Sequence, residues 1–433
     1  MLVAISIFSL LAMATLAIDV VSLYVARNEI QRAADAAALV GAKALADSGV
    51  TTLQPGSGDA AAAMTMAQSM ANSAITALVG SPGFNQVAGG PASLVGTPII
   101  TYLPAGSNLT NNPTISVTLQ RTNLPIFFAR IIGASASTAS ATAVAEAYNP
   151  ANVPSFTPIA PSCVKPWLVA NADPISSTPF VNVATGQVEA GVLGEQPIDL
   201  IADCNQNLSA GCNLLTPGQP PRPFNGQQKV QFVPALLDPT QIEMYPSSLS
   251  GSSNYERAIA GCDVRTYTFF QCGSATSGSQ TSWDPAVDAT PNHGGVNSPT
   301  SIATTQYLIH ALGQNLGQGQ DILTMDFPNA PPNITAQSGP KSGSPVSTSN
   351  SVVTIPIVDT GSFETGPPYQ VDIVGFLQAF INQVHDLGNN NEHDAVNITV
   401  LNVVGCSSTP NGSPVIIGGN GNSAIPVRLI SSQ

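Results

Sequence analysis

Four histidines, six cysteines and a few clustered carboxylates carry whatever chemistry this 433-residue chain can perform. The densest cluster is His385-Asp386 followed, across Leu387-Gly388-Asn389-Asn390-Asn391, by Glu392-His393-Asp394. Imidazoles and carboxylates are donors for a divalent cation, but these histidines have no third ligand at a fixed spacing, and Asn and Gly form turns. The segment therefore reads as a solvated helix end and turn. Asp284 and Asp288, near Asn292-His293-Gly294-Gly295, offer oxygens to calcium but lack the alternate-residue spacing and central glycine of an EF-hand loop. There is no Gly-x-x-x-x-Gly-Lys-Ser/Thr phosphate loop, no His-Glu-x-x-His helix and no Gly-x-Ser-x-Gly elbow. The expectation is a chain with no catalytic site, no cofactor and no metal, in which Trp167 and Trp283 serve as core or surface anchors.

The cysteines point to a compartment rather than to a reaction. Cys163, Cys204, Cys212, Cys262, Cys272 and Cys406 contain no Cys-x-x-Cys pair, and their even number favours disulfides in an oxidising space over zinc. Fifteen connectivities are open. Short loops suggest Cys204 with Cys212 and Cys262 with Cys272, leaving Cys163 to meet Cys406; the competing reading is buried free thiols in a reducing cytoplasm. Gly and Pro make up about 17% of the chain, against a usual 12% or so, and charged residues only 9%, a balance unlike that of an ordinary cytosolic enzyme. The net charge of -13 opposes nucleic-acid binding, which needs a basic patch.

The element that dominates the sequence is its first 47 residues. Met1 to Ala26 holds one charge, Asp19, and neither Pro nor Gly. About 20 apolar helical residues span a bilayer, so residues 1–26 are expected to form a transmembrane helix. Good helix formers continue to Asp47, extending the helix as one rod of roughly 70 Å. Tyr24, Asn28, Gln31 and Asp35 follow i, i+4, i+7, i+11 and share one polar stripe, while Ala34, Ala38 and Gly41 form a small-residue stripe that admits another helix closely. A carboxylate at mid-bilayer costs about 3 kcal/mol, so Asp19 is expected to cap the outer edge of the span or to meet a partner helix. A cleavable signal peptide ending at Ala12-Met13-Ala14 competes with the anchor, but the apolar run continues past that point.

Ala17-Ile18-Asp19-Val20, then Leu23-Tyr24-Val25-Ala26-Arg27, then the unbroken run from Ile30-Gln31-Arg32 through Asp35 to Gly41-Ala42 resemble the N-terminal segment of the TadE/TadG-like Flp pilus-assembly proteins. Val117-Thr118-Leu119, Leu124 to Gly133 and Ala139 to Ala147 resemble the region that follows that helix in TadG-like proteins. The resemblance implies a membrane-anchored, non-catalytic component of a tight-adherence pilus system, placed in the inner membrane by a single pass with its C-terminal part periplasmic or extracellular. It implies other pilus-assembly membrane proteins or pilins as partners, with a homo-oligomer through the N-terminal helix also open. Positive charge alone, counted at Arg27, Arg32 and Lys43, would instead place the C-terminal part in the cytoplasm. Larger relatives carry a domain with an Asp-x-Ser-x-Ser metal loop, and this sequence has none.

The expected fold class is α+β, a long N-terminal membrane helix with a small antiparallel sheet on a pilin-like plan, then a loop-rich, mainly β distal domain. The boundaries read as a membrane helix over 1–26, a helical stalk with a small α/β module over 27–148, a Pro-rich linker over 149–162 and a β-rich extracytoplasmic domain over 163–433. Within the module Asp59 caps a second helix over 60–79, and strands are expected at 97–103, 114–120 and 137–148. Distally, strands are expected at 229–233, 265–271, 352–358, 370–373, 396–404, 415–418 and 425–430, with helices at 301–316 and 375–387. Two further functions compete with the assembly component. One is an exported adhesin or filament subunit packed through its N-terminal helix, and the other an extracytoplasmic hydrolase or metal-dependent enzyme acting through His385 or His393.

Overall fold

The computed structural model describes residues 2–52, 60–81, 97–103, 112–124, 137–147, 164–183, 188, 197–201, 223–224, 228–235, 242–243, 254–263, 280–282, 298–310, 321–326, 330–346, 349–364, 369–385, 395–405 and 427–430. Its helices are α1 (Leu2–Asp47), α2 (Ala60–Val79), α3 (Asn254–Ala260) and α4 (Ser298–Ile309). The first strands are β1 (Ile99–Leu103), β2 (Thr114–Leu124), β3 (Ser137–Ala147), β4 (Trp167–Ala170), β5 (Ile198–Ile201), β6 (Pro223–Phe224), β7 (Lys229–Pro234), β8 (Ile242–Glu243) and β9 (Cys262–Asp263). They are followed by β10 (Gln280–Ser282), β11 (Ile322–Asp326), β12 (Ala330–Thr335), β13 (Pro345–Val346), β14 (Val352–Val358), β15 (Gln370–His385), β16 (Ala395–Gly405) and β17 (Val427–Ile430). The chain is mixed α+β, and its distal part is mainly β.

Around α1 the sequence pattern becomes a layered module. Ile115, Val117 and Leu119 alternate along β2, and Ala141, Ala143, Ala145 and Ala147 along β3, so each strand presents one apolar face. Those faces form one core with Ala34, Ala37, Ala38 and Leu45 of α1 and with Met64, Ala67, Ala71 and Ile75 of α2. Alanine on both the helix and β3 brings the two backbones close, and the bulk is supplied by Ile115, Leu119 and Ile75. The sheet order is β1-β2-β3-β17, all antiparallel. The terminal strand read near 425–430 is therefore found at β17, paired to β3 of the module.

The distal strands close on themselves. β15 pairs antiparallel with β14 over Ile373 to Phe380 and with β16 over Gly375 to His385. Because the same residues serve both ladders, the two partners lie on opposite edges of β15. β14 then runs parallel to β4, β4 antiparallel to β7, β7 parallel to β5, and β5 antiparallel to β16. The path β15-β14-β4-β7-β5-β16 is thus a closed six-stranded barrel. Trp167, Phe232, Leu200, Ile355, Ile357, Leu377, Ile381 and Ile398 fill its interior in one cluster, as expected of a small barrel. Trp167 and Phe232 stack with ring centroids 5.9 Å apart at 49°. The neighbouring residues on the outer surface, Leu168, Val233, Phe376 and Val404, belong to the core of the helical module. Barrel and module therefore share apolar contacts.

The amphipathic helix expected over 375–387 is instead the second half of β15. Phe376, Leu377, Phe380 and Ile381 have helix-like spacing because both faces of β15 are covered, one by the barrel interior and the other by the module or by the β11-β12-β13 arm. Two-sided burial erases the period-2 signal. Gly375 permits this packing: a Cβ there would stand 2.7 Å from Val181 Cγ2 and from the Val404 carbonyl oxygen. α2 has the bounds read from sequence, α4 starts at Ser298, and α3 was missed. The Asp59 cap, the linker over 149–162 and the strands read at 265–271 and 415–418 lie outside the described residues.

Candidate functional site

Helix α1 is one continuous element with two different surfaces. From Asp19 a buried stripe runs through Ala26, Ile30, Ala33 and Ala37, at i, i+7, i+11, i+14 and i+18, and meets the module core. Before it, and on the opposite side, Val3, Ile7, Leu10, Met13, Leu16, Ile18, Val20, Val21, Tyr24 and Val25 are exposed, Leu10 at 66% and Met13 at 72%. Among the described residues no helix is long and apolar enough to cross a membrane. The span expected over residues 1–26 is accordingly not a structural finding. Several side chains of that stretch, among them Leu2, Ile5, Phe8 and Leu11, lie outside the described set.

The two stripes read from the sequence separate in the fold. Ala34 and Ala38 are fully buried, and a Cβ at Gly41 would stand 2.7 Å from Ile115 Cδ1 and 2.7 Å from Ile75 Cδ1. The small-residue stripe does admit a helix closely, and that helix is α2 of the same chain, with β2 beside it. The polar stripe divides. Tyr24 and Asn28 are exposed, whereas Gln31 Nε2 donates to Asp35 Oδ1 at 2.8 Å and to the Thr142 carbonyl oxygen of β3 at 3.2 Å. Gln31 thus stitches the helix to the sheet. Asp19 is 2% exposed, and its backbone carbonyl accepts a 2.8 Å hydrogen bond from Ser22 Oγ. It lies on the packed face of α1 rather than on the exposed apolar surface.

Three polar positions escaped the sequence reading. Arg121 of β2, 8% exposed, lies 3.9 Å from Glu29 Oε2 of α1, while its Nε and that oxygen make no hydrogen bond. Lys165 is completely buried; its Nζ donates to the carbonyls of Ile259 and Gly261 at 2.7 and 2.6 Å, at the C-terminal end of α3. A cation there meets the negative end of the helix dipole, yet burial pulls its pKa down to about 7. Tyr102 of β1 donates to α2 at the Gln68 carbonyl oxygen, 2.9 Å, or at Asn72 Oδ1, 2.6 Å, and burial pushes its phenol upward. Lysine and arginine are exposed by default, so composition gave no signal for the first two.

Where the C-terminal end of α1 approaches the arm, Lys43, Asp47, Met70, Asn333, Gln378 and Leu401 line a cleft of about 140 Å³. Pockets for small molecules hold about 300 Å³ or more, so this space suits a few waters. Lys43 and Asp47 bridge its rim at 2.6 Å. Among the described residues no group of three or more His, Cys, Asp or Glu side chains could hold a metal. His385 ends β15 opposite Ala395, and residues 386–394 lie outside the described set. Asp284, Asp288, Asn292 and Trp283 lie outside it too, as do Cys163, Cys204, Cys212, Cys272, Cys406 and the side chain of Cys262. No disulfide occurs among the described residues.

No curated protein and no solved structure matches the chain. What does match coincides with the helix whose two surfaces were just described: residues 1–44 fit the family model described as "Putative Flp pilus-assembly TadE/G-like".

Proposed function

We propose that this chain is a non-catalytic component of a Flp (tight-adherence) pilus-assembly system, anchored through the N-terminal half of α1 and exposing its barrel, with paired cysteines, outside the cytoplasm. The observation that carries the reading is the unshared apolar surface of α1 within the segment that fits the family model. Burying a side chain such as Leu10 or Ile7 is worth about 2 kcal/mol. Ten large apolar side chains left in water between Val3 and Val25 would forgo on the order of 15 kcal/mol, as much as the whole stability of a typical domain. That surface is therefore built to be covered. The uncharged run from Met1 to Ile18 makes lipid the natural cover, with neighbouring assembly helices as further partners.

The test is complementation. In a strain lacking the native copy, the full chain restores surface pili, and Ile7→Lys/Leu10→Lys/Leu16→Lys accumulates as folded protein without restoring them. Pili formed by the triple variant at the wild-type number would overturn the reading. A second reading, a filament subunit, draws on the same plan of a long helix laid on a small antiparallel sheet, and isolated filaments composed largely of this chain would decide for it.

A further inference from the structure

The fold sorts the charges of α1. Lys43 Nζ meets Asp47 at 2.6 Å, Asp35 accepts the amide of Gln31, and Asp19 is buried on the packed face. Glu29 is approached by Arg121, a buried side chain of β2 whose Nη1 lies 3.9 Å from the Glu29 Oε2. These two, Lys43 with Asp47 and Arg121 with Glu29, are the ion pairs formed among the described residues. Arg27 and Arg32, both exposed, have no carboxylate partner there. Two uncompensated positive charges thus stand together on a chain whose net charge is -13.

They stand where the exposed apolar surface of α1 stops. Val25, 48% exposed, is its last large apolar side chain; Arg27 follows about 3 Å further along the axis and Arg32 about 10 Å further. Tyr24, 65% exposed, marks the boundary with an apolar ring and a polar tip, the kind of side chain that settles at a membrane interface. From Val3 to Val25 the surface is about 33 Å long, close to the ~30 Å of a bilayer hydrocarbon core, and the headgroup layer on each side is about 5–8 Å thick. Helical Cα–Cβ bonds tilt toward the N-terminus, so the long arms of both arginines can reach back into that layer. A guanidinium there binds phosphate by paired hydrogen bonds as well as by charge.

We propose that Arg27 and Arg32 form a collar that binds the phosphates of anionic phospholipid headgroups, and that Arg121 serves it by holding Glu29, whose carboxylate would otherwise repel the same phosphates. The collar rests on the lipid-facing role proposed above for the N-terminal half of α1, and adds a choice among lipids that an apolar surface cannot make.

Native mass spectrometry tests it on the full-length chain in nonionic detergent, offered equal amounts of phosphatidylglycerol and phosphatidylcholine, by counting the lipids retained. The wild type is expected to prefer phosphatidylglycerol by more than about tenfold, from roughly fivefold per arginine. Arg27→Gln/Arg32→Gln should retain the two lipids within about twofold of each other. Arg121→Gln should lose about fivefold of the preference, and Arg121→Gln/Glu29→Gln, which removes the carboxylate as well, should regain it. That recovery is not expected of an arginine that serves only the fold, so its failure overturns the role given to Arg121. A double arginine variant that keeps the preference, or lipid displaced from the wild type by excess inorganic phosphate, overturns the collar. Carbonate-washed membranes separate its failure from that of the anchor, because the double arginine variant is expected to stay in the pellet. Loss of the wild type from the pellet overturns anchor and collar together, whereas a wild type that stays there without preferring the anionic lipid overturns the collar alone.

Discussion

The two halves of α1 differ in composition and in fate: the first carries one charge, Asp19, among large apolar side chains, and the second is rich in alanine and carries Arg27, Glu29, Arg32, Asp35, Lys43 and Asp47. Residues 26–47 lie against α2 and the sheet, with Ala34, Ala37, Ala38, Ala42 and Leu45 fully buried. Residues 3–25 carry the larger apolar side chains, and most of those described are uncovered. The difference lies in side-chain size as well as in hydrophobicity. Alanine and glycine allow a strand and a second helix to approach the C-terminal half, whereas Ile7, Leu10 and Met13 hold neighbours off and present bulk. One half packs into the fold, and the other leaves ten large apolar side chains exposed.

That contrast can be broken most strongly at Leu45 and Leu10. Leu45→Ala opens a cavity in the module and should cost about 3 kcal/mol, read as a fall in thermal midpoint. Leu10→Ala should leave the midpoint within about 0.5 kcal/mol of wild type. Equal losses at both positions would mean that the halves are not distinct. Gly41→Val comes next: its side chain meets two isoleucine Cδ1 atoms that can move, so denaturant titration should register about 2 kcal/mol of overpacking.

A third handle asks whether the packed half melts with the barrel. Lys165 ordinarily titrates near 10.4 and here near 7, so between those values the unfolded chain holds a proton that the folded chain lacks. Stability should therefore be level below pH 7 and rise from about pH 7 to about pH 10, by at most about 1.4 kcal/mol per pH unit from this group. Lys165→Met should flatten that rise. Because barrel and module share a core, the flattening should appear in the helical signal as well as in Trp fluorescence. A flattening confined to fluorescence would separate them. The smallest effect is expected at Gln31→Ala, which removes the hydrogen bond from α1 to Thr142 and should cost about 1 kcal/mol in a chemical melt.

How much of this was legible follows from the same physics. α2 and the three module strands were readable because each buries one face, which leaves a helical or alternating signature in the sequence. Gly41 was readable as part of a small-residue stripe, although the partner it admits is intramolecular. The barrel was not legible. β4 and β5 are four residues long, their parallel partners lie far away in sequence, and β15 is apolar on both faces and so imitates a helix. Lys165 and Arg121 were missed because their roles depend on a carbonyl pair and a carboxylate supplied by remote segments. The apolar surface of α1 was visible from the first residues, and the fold adds that nothing described in this chain covers it.

On the function proposed above, residues 3–25 take an external, lipid-facing role, while residues 26–47 pack into the module core. The division is tested by membrane fractionation with carbonate washing of the full chain beside Ile7→Lys/Leu10→Lys/Leu16→Lys, with thermal melts of both purified proteins. The wild type is expected to stay in the membrane pellet and the variant to move to the soluble fraction, with coincident melting midpoints. A variant that remains membrane-bound, or one that dissociates only because its fold has collapsed, would contradict the division.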